Sequence, residues 1–198
     1  MSDIDQDDDE GLMARVNTGD HQAFSSLVRR HSERFYHVAY RMCGQQDEAE
    51  DIVQEAFLKL WHKPGSWNAE RGAKFTTWFY RVVTNQALDF VRKKKPLAGG
   101  EAIERFVDES QNQVKKMQVA QEQDILEEAI QNLPERQKTA LNLCFYEELS
   151  NKEAADIMGV GVKALESLLM RAKAGLRDEL TRRNFIGLNE EGGNVEYG

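Results

Sequence analysis

The chain has 198 residues, of which 40% are hydrophobic and 30% are charged. This composition is typical of a soluble, helix-rich protein with one domain or two small ones. Its formal net charge of −8 argues, taken alone, against a nucleic-acid partner. No uncharged apolar run approaches the roughly 18 residues of a membrane span, and the acidic start MSDIDQDDDE is unlike a signal or transit peptide. We therefore expect a cytoplasmic protein.

The acidic residues are concentrated at the two ends of the chain. Residues 1–10 hold six acidic residues and residues 184–198 hold three, and neither segment contains a basic residue. Residues 71–95, in contrast, carry seven Arg or Lys against the single acid Asp89. A local basic patch, rather than net charge, is the electrostatic signature of DNA binding. We interpret 1–10 as an acidic leader and 184–198 as an acidic tail, which are either solvated ends or anionic segments that shield a basic face.

The first helical body is predicted over residues 11–95. AFSSLVRRHSERFYHVAYRMC and DEAEDIVQEAFLKLW read as helices separated at Gly44, and HKPGSWNAERGAK reads as a polar loop. In the second helix, Asp51, Gln54 and Glu55 fall within one turn and present two acids and an amide on one face. Without further context this face is simply acidic and solvated.

The segment 74–95, KFTTWFYRVVTNQALDFVRKKK, is rich in aromatic residues and ends in four consecutive basic residues. At the 100° step of an α-helix its apolar residues share one arc, which predicts a buried face. That arc holds Phe75, Phe79, Val82, Val83, Ala87 and Phe90, with Tyr80 and Val91 at its edge. The opposite face holds Trp78, Arg81, Asn85, Asp89 and Arg92. Such residues stack on bases and pair with phosphates, although a Trp on an amphipathic helix also packs against neighbouring elements.

Residues 96–123 contain Pro, Gly and many polar residues and are predicted to be a flexible linker. A second helical body follows over 124–183. Ser150-x-x-Glu153 is a capping box that starts a short helix, and Gly159-Val160-Gly161 interrupts the chain before a longer one. Short helix, glycine turn and longer helix predict a helix-turn-helix. The alternative is a structural hairpin of two helices with a solvated basic face.

The longer helix has a distinct outward face and a distinct apolar stripe. The stripe is predicted from Val162, Leu165, Leu168, Leu169, Ala172 and Leu176. The outward positions, suited to phosphates and base edges in a major groove, include Lys163, Ser167, Arg171, Lys173 and Arg177. No segment alternates like a strand, so the expected fold is all-α with two small domains.

Cofactor chemistry has no support in the sequence. The four His are scattered, no Cys or His pair has metal-ligand spacing, and Cys43 and Cys144 are expected to be unlinked thiols. GSWNAERGAK has six residues between its glycines rather than the four of a phosphate-binding loop. We expect no metal, no cofactor, no small-molecule substrate and no enzymatic activity.

The motifs in their order resemble the extracytoplasmic-function (group IV) sigma factors of bacterial RNA polymerase, over about residues 11–182. AEDIVQEAFLKLW is similar to that family's region 2.2, and FTTWFYRVVTNQALDFVRKKK to its regions 2.3–2.4. LPERQKTALNLCFYEELSNKEAADIMGV, followed by VKALESLLMRAKAGLR, is similar to its region 4. The resemblance implies promoter recognition and DNA opening, with core RNA polymerase (the β′ clamp helices and the β subunit), promoter DNA and an anti-sigma factor as partners.

The resemblance also implies a role for each candidate residue. The residues that would dock on the polymerase are Asp51, Gln54 and Glu55. At the −10 element, the residues that would contact phosphates are Lys74, Arg81, Arg92 and Lys93, and those that would contact bases or support the loop that holds them are Trp78 and Asn85. The residues that would contact the −35 element are Lys163, Glu166, Ser167, Arg171, Lys173 and Arg177. An anti-sigma factor would also hold the chain at the inner membrane face and link it to a stress or envelope response.

Two departures from the family pattern lie in the recognition helix. Many relatives carry a basic residue at the position of Glu166 and a second basic residue at the position of Leu168. Glu166 repels phosphate but accepts a hydrogen bond from a cytosine amino group, so the −35 sequence does not carry over. The rival hypotheses are a stand-alone helix-turn-helix regulator, which leaves the region 2.2-like motif unexplained, and an adaptor that binds only protein.

Overall fold

The computed structural model describes residues 7–69, 72, 74–94 and 125–183. The predicted linker 96–123 and the acidic tail 184–198 lie outside the described residues. Within the described ranges the chain forms helices and turns and no strand, which confirms the all-α prediction. The first body contains α1 (Asp9–Val16), α2 (His21–Cys43), α3 (Gln46–His62), a short 3₁₀ turn (Pro64–Ser66) and α4 (Phe75–Lys94). The second contains α5 (described over 125–131), α6 (Glu135–Leu141), a π-turn (Asn142–Tyr146), α7 (Asn151–Met158) and α8 (Val162–Arg182).

The last acids of the leader are part of the fold. Asp8 caps α1 by accepting a 2.8 Å hydrogen bond from the Gly11 amide. The Asp9 carboxylate lies 2.8 Å from the Arg30 guanidinium and 2.9 Å from the His31 ring on α2. Burial acts to raise the pKa of Asp9, but the contacts with His31 and Arg30 outweigh it and lower that pKa. Asp8 therefore starts α1 and Asp9 binds α1 to α2, where the sequence predicted a leader that ends at residue 10.

Aromatic rings fill the centre of the first body, where α2, α3 and α4 meet. The Phe35 ring lies 4.7 Å from that of Phe79 and 4.9 Å from that of Tyr80, both in edge-to-face geometry. Phe57 of α3 lies 4.6 Å from Phe79. Such pairs add to the free energy gained by burying their large apolar area. This packing fixes which face of α4 points outward.

The buried arc predicted for α4 is largely observed. Phe75, Phe79, Val83 and Ala87 are fully buried, whereas Val82 and Phe90 are half-buried. Tyr80, placed at the edge of the arc, is only 1% exposed. It is covered because α4 also contacts the second body, which helical periodicity does not encode.

The second body contains the predicted helix-turn-helix. Ser150 and Glu153 form the capping box: the Glu153 amide donates to Ser150 Oγ at 3.3 Å, and the Ser150 amide donates to the Glu153 carboxylate at 3.0 Å. Gly159 ends α7 with φ of 62°, the left-handed conformation that favours glycine. The predicted burial of Val162 is wrong: this residue is 40% exposed, at the first position of α8.

Ser150→Ala is expected to lower the free energy of unfolding by about 1 kcal/mol, since the substitution leaves the Glu153 amide without its side-chain acceptor. Urea denaturation followed by circular dichroism measures this loss. Lys152→Ala, at an exposed position of the same helix, is the control and should change stability by less than about 0.5 kcal/mol. Equal stability of the two variants would contradict a stabilising role for the cap.

The two bodies pack against each other. α7 lies against α4, and the π-turn and α6 lie against α2. Leu143 and Ile157 of the second body belong to the same buried cluster as Phe35 of the first. The sequence predicted two bodies joined by a flexible linker, and the structure adds direct contacts between them.

Candidate nucleic-acid interface

The outward face of α4 carries most of the residues predicted to bind the −10 element. Lys74, Arg81, Asn85, Arg92 and Lys93 are all exposed. The packing of Phe75, Phe79 and Val83 into the hydrophobic core holds this face outward. Exposed basic side chains on one face of a helix can bind the phosphates of a nucleic-acid strand.

Trp78 lies at the border of that face. Its ring centre is 6.1 Å from that of Phe75 and 5.9 Å from that of Phe79, and it packs, half-buried, against the hydrophobic core. The sequence predicted a Trp on the polar face, and the structure adds core packing on one side of the ring. A Trp held in this way is rigid and retains an accessible part against which a base can stack.

Two arginines of the α4 face contact the second body. The Arg81 guanidinium donates to the backbone oxygen of Asp156 in α7. Arg92 Nε lies 3.7 Å from the Glu135 carboxylate of α6, and Arg92 Nη1 lies 3.9 Å from Asp89 on its own helix. In this conformation both guanidinium groups face protein acceptors.

The predicted polymerase-docking face on α3 is exposed. Asp51, Gln54 and Glu55 all reach solvent, and the Glu55 carboxylate lies 3.3 Å from both Lys59 Nζ and Gln86 Nε2. The three side chains are therefore available to a partner.

One apolar neighbour of that face was missed by the sequence analysis. Leu58 is 53% exposed, one turn beyond Gln54. Gln54 itself also lines a groove of about 250 Å³ between α2 and α3, together with Tyr36 and Val53 among others. The signal was present, because Leu58 falls four residues after Gln54 and so shares its face.

The predicted −35 residues lie along α8. Lys163, Glu166, Arg171, Lys173 and Arg177 are exposed. Ser167 is half-buried, and its hydroxyl donates at 2.9 Å to the backbone oxygen of Lys163. This bond satisfies the hydroxyl within its own helix.

Lys173 makes a further contact that the sequence did not reveal. Its ammonium group lies 4.9 Å from the ring centre of Phe145, in cation–π geometry. Phe145 is itself 53% exposed, in the π-turn. The side chain of Lys173 is therefore held toward the π-turn. Among the described residues, Arg171 and Arg177 make no such cation–π contact.

A buried carboxylate at the junction of the bodies was also missed. Glu147, just after the π-turn, is 8% exposed and accepts hydrogen bonds from Tyr80 at 2.6 Å, Arg34 at 3.0 Å and Arg41 at 2.8 Å. Burial acts to raise the pKa of Glu147, but these three donors outweigh it and lower that pKa. Burial and the carboxylate together raise the pKa of the Tyr80 phenol. Since its partners lie 67 to 113 residues away, no local sequence pattern marks Glu147.

The two cysteines, Cys43 and Cys144, are free, half-buried thiols, and burial raises the pKa of both. In the part of the chain that the structure describes, no helix combines the length and the apolar character needed to cross a membrane.

Comparison with known proteins places these features in a family. Residues 27–96 match the family described as sigma-70 region 2, and residues 123–176 match sigma-70 region 4. Two solved structures share the fold. CnrH, in complex with the cytosolic domain of CnrY, covers 89% of this chain with a TM-score of 0.65 and 23% identity, and 99% of CnrH is covered. The sigma factor RpoE of Bartonella quintana, in complex with the anti-sigma factor NepR, covers 80% with a TM-score of 0.63 and 22% identity, and 96% of it is covered.

Sequence relatives carry the assignment further. The ECF RNA polymerase sigma factor SigW of Bacillus subtilis is 31% identical over 176 residues, which span 84% of this chain and 93% of SigW. The ECF sigma factor SigE of Mycolicibacterium smegmatis is 31% identical over 184 residues, which span 90% of this chain and 70% of SigE. With both sigma-70 regions matched in order and this similarity along almost its whole length, the chain belongs to the extracytoplasmic-function (ECF) family of RNA polymerase sigma factors.

Proposed function

We propose that this chain binds core RNA polymerase, recognises the −10 and −35 elements of a promoter and promotes DNA opening for transcription initiation. The observation that carries the proposal is that one chain contains regions 2 and 4 in order. Each region has a helix with exposed basic residues. A stand-alone helix-turn-helix regulator does not account for region 2. The proposal includes no covalent chemistry and hence no enzymatic role.

The α4 face is suited to holding an unpaired −10 strand. Extruding a base from a duplex costs a few kcal/mol, and stacking on an aromatic side chain returns about 1–3 kcal/mol per base. Trp78 and Asn85 are proposed to receive bases or to support the loop that does so. Lys74, Arg81, Arg92 and Lys93 are proposed to bind phosphates, which adds the remaining free energy.

The α3 face is proposed to dock on the β′ clamp helices through Asp51, Gln54 and Glu55. Leu58 adds an apolar contact to that surface because it is exposed on the same face. A further contact with the β subunit is proposed from family membership.

An anti-sigma factor is the proposed regulator, in a stress or envelope response. CnrH and RpoE, which share the fold, are each seen in complex with another protein: the cytosolic domain of CnrY for CnrH, and the anti-sigma factor NepR for RpoE. The proposed site of action is the cytoplasm, where the polymerase is found, including the inner membrane face if the anti-sigma factor lies there.

Transcription with purified core RNA polymerase tests the proposal. The chain is added to core enzyme on a library of genomic fragments, and the transcripts are sequenced. We expect discrete start sites that share two upstream elements and are absent with core enzyme alone. A transcript pattern identical to that of core enzyme alone would contradict the proposal and favour a regulator or an adaptor.

Arg171→Ala is expected to weaken binding of the holoenzyme to such a promoter. If Arg171 contacts a phosphate, the slope of log K against log salt becomes shallower by about 0.9. If it reads guanine, the loss is about 1–3 kcal/mol and is confined to promoters that carry that base. Arg136→Ala, at an exposed position of α6, removes the same charge as a control. Equal binding by both variants at every salt concentration would remove Arg171 from the −35 contacts.

A further inference from the structure

Met170 occupies the centre of the outward face of α8. Its side chain is 66% exposed, a larger fraction than that of any other large hydrophobic residue in the described ranges. At the 100° step of a helix, Lys163 and Arg177 lie about 20° from Met170, and Glu166 lies about 40° from it. Ala172, which is fully buried, points the other way. A helix that meets DNA through these charged residues therefore also brings Met170 against the DNA.

Two polar neighbours of Met170 already have partners within the protein. The Ser167 hydroxyl donates its hydrogen to the backbone oxygen of Lys163 at 2.9 Å, so it has no hydrogen left to donate to a base. The Lys173 ammonium group lies 4.9 Å from the ring centre of Phe145, toward the π-turn. Neither side chain is therefore directed at the centre of the face.

The other basic residues flank that centre. Lys163 and Arg177 are each seven residues from Met170, about 10 Å away along the helix axis in opposite directions. Arg171 lies about 100° around the helix from Met170. Cations in these positions suit the phosphates that border a major groove about 12 Å wide. Glu166 and Met170 remain between them for the base edges.

A carboxylate beside a thioether side chain has a defined base preference. In the major groove cytosine presents an amino donor, guanine presents two acceptors, and adenine presents an acceptor beside its donor. A carboxylate therefore favours cytosine and is repelled by guanine. Thymine carries a methyl group, and its contact with an apolar side chain removes both groups from water. Glu166 and Met170 are four residues apart, about 6 Å along the helix, which corresponds to about two base pairs.

We propose that Met170 is a specificity-determining residue of the −35 contact. It reads the methyl group of a thymine, while Glu166 reads a cytosine amino group within about two base pairs of that thymine. The inference rests on the proposed function for the placement of α8 in the major groove. It divides the work of the helix, because the flanking basic residues supply affinity that is independent of sequence and the centre supplies discrimination between bases.

Selection from a promoter library tests the assignment with the full chain in the holoenzyme. A promoter found with core RNA polymerase is randomised across its −35 element, and the bound fragments are sequenced. We expect Met170→Ala to lose the preference for one T·A pair and Glu166→Gln to lose the preference for one neighbouring C·G pair. Met170→Leu keeps an apolar side chain and should retain the T·A preference. Leu126→Ala removes an exposed apolar side chain from α5 and should select the same element as the parent.

Removal of the thymine methyl group isolates the contact made by Met170. Uracil replaces thymine at the selected position of a fluorescein-labelled duplex promoter, which is titrated with holoenzyme and followed by anisotropy. We expect the parent to bind the uracil promoter about fourfold more weakly, the equivalent of one buried methyl group. Met170→Ala should bind both promoters equally. If the parent also binds both equally, Met170 does not read the methyl group and the proposal is wrong.

Failure of this inference is distinguishable from failure of the proposed function. A −35 element that is the same for the parent, Met170→Ala and Glu166→Gln would overturn the inference and leave the proposed function standing. Holoenzyme that selects no −35 element would remove both. If Met170→Ala weakens the binding of core RNA polymerase in the absence of DNA and leaves the base preference unchanged, Met170 contacts protein and the inference is overturned.

Discussion

Gln54→Ala combined with Glu55→Ala is expected to weaken binding to core RNA polymerase by at least about tenfold, because interface side chains of this kind each contribute on the order of 1 kcal/mol. Both side chains are exposed, so the free energy of unfolding should fall by about 0.5 kcal/mol or less for each. Titration of labelled chain with core enzyme, in the absence of DNA, measures the affinity.

Glu10→Ala combined with Gln22→Ala is the matched control. These substitutions also remove one carboxylate and one amide, from exposed positions on α1 and at the start of α2. The control should bind core enzyme like the parent. The same affinity for control and test variants would take the docking role away from this turn of α3. A loss that appears only with Leu58→Ala would move the interface from the polar side chains to this exposed leucine.

Trp78→Ala is expected to impair promoter opening more than the initial binding of holoenzyme to promoter DNA. The free energy of unfolding should fall by about 2 kcal/mol, less than the 3–5 kcal/mol for a fully buried aromatic, because the ring is half-buried against Phe75 and Phe79. Permanganate reactivity of −10 thymines measures opening at a promoter selected with core enzyme, and thermal melting of the free chain measures stability.

Two substitutions separate stacking from packing at this position. Trp78→Tyr retains an aromatic face and should restore most of the opening, whereas Trp78→Leu retains apolar bulk and should not. Trp61→Leu is the control for stability alone, since Trp61 is also half-buried and its ring lies 4.4 Å from that of His21 and 5.0 Å from that of Phe24. Normal opening by Trp78→Leu would leave Trp78 with only a packing role.

Local patterns were sufficient for the elements and for most of the outward faces. Burial of Phe75, Phe79 and Val83 follows from the helical period of α4. The Ser150 capping box and the left-handed Gly159 follow from short-range backbone chemistry. These features depend on residues within a few positions of one another, so a single chain segment specifies them.

The environment of Trp78 was only partly predictable. The sequence prediction put it on the polar face, but at about 100° per residue Trp78 lies only about 60° from Phe75 and so at the border of the buried arc; its large ring packs on one side against Phe79. A wheel records the direction of the Cα–Cβ bond and not the reach of the side chain. Val162 has a different reason: its period predicts burial, but its position at the start of α8 leaves it exposed.

The sequence by itself determined the all-α fold, the helix-turn-helix and the basic faces of α4 and α8, because periodicity, caps and charge are encoded locally. Only the tertiary structure decided that Tyr80 is buried, that Glu147 joins the bodies and that Arg81 and Arg92 face the second body. Glu147 meets Tyr80 and Arg34 across 67 and 113 residues of chain. Such a contact depends on how two separately formed bodies pack, and that packing is decided by the complementarity of whole surfaces.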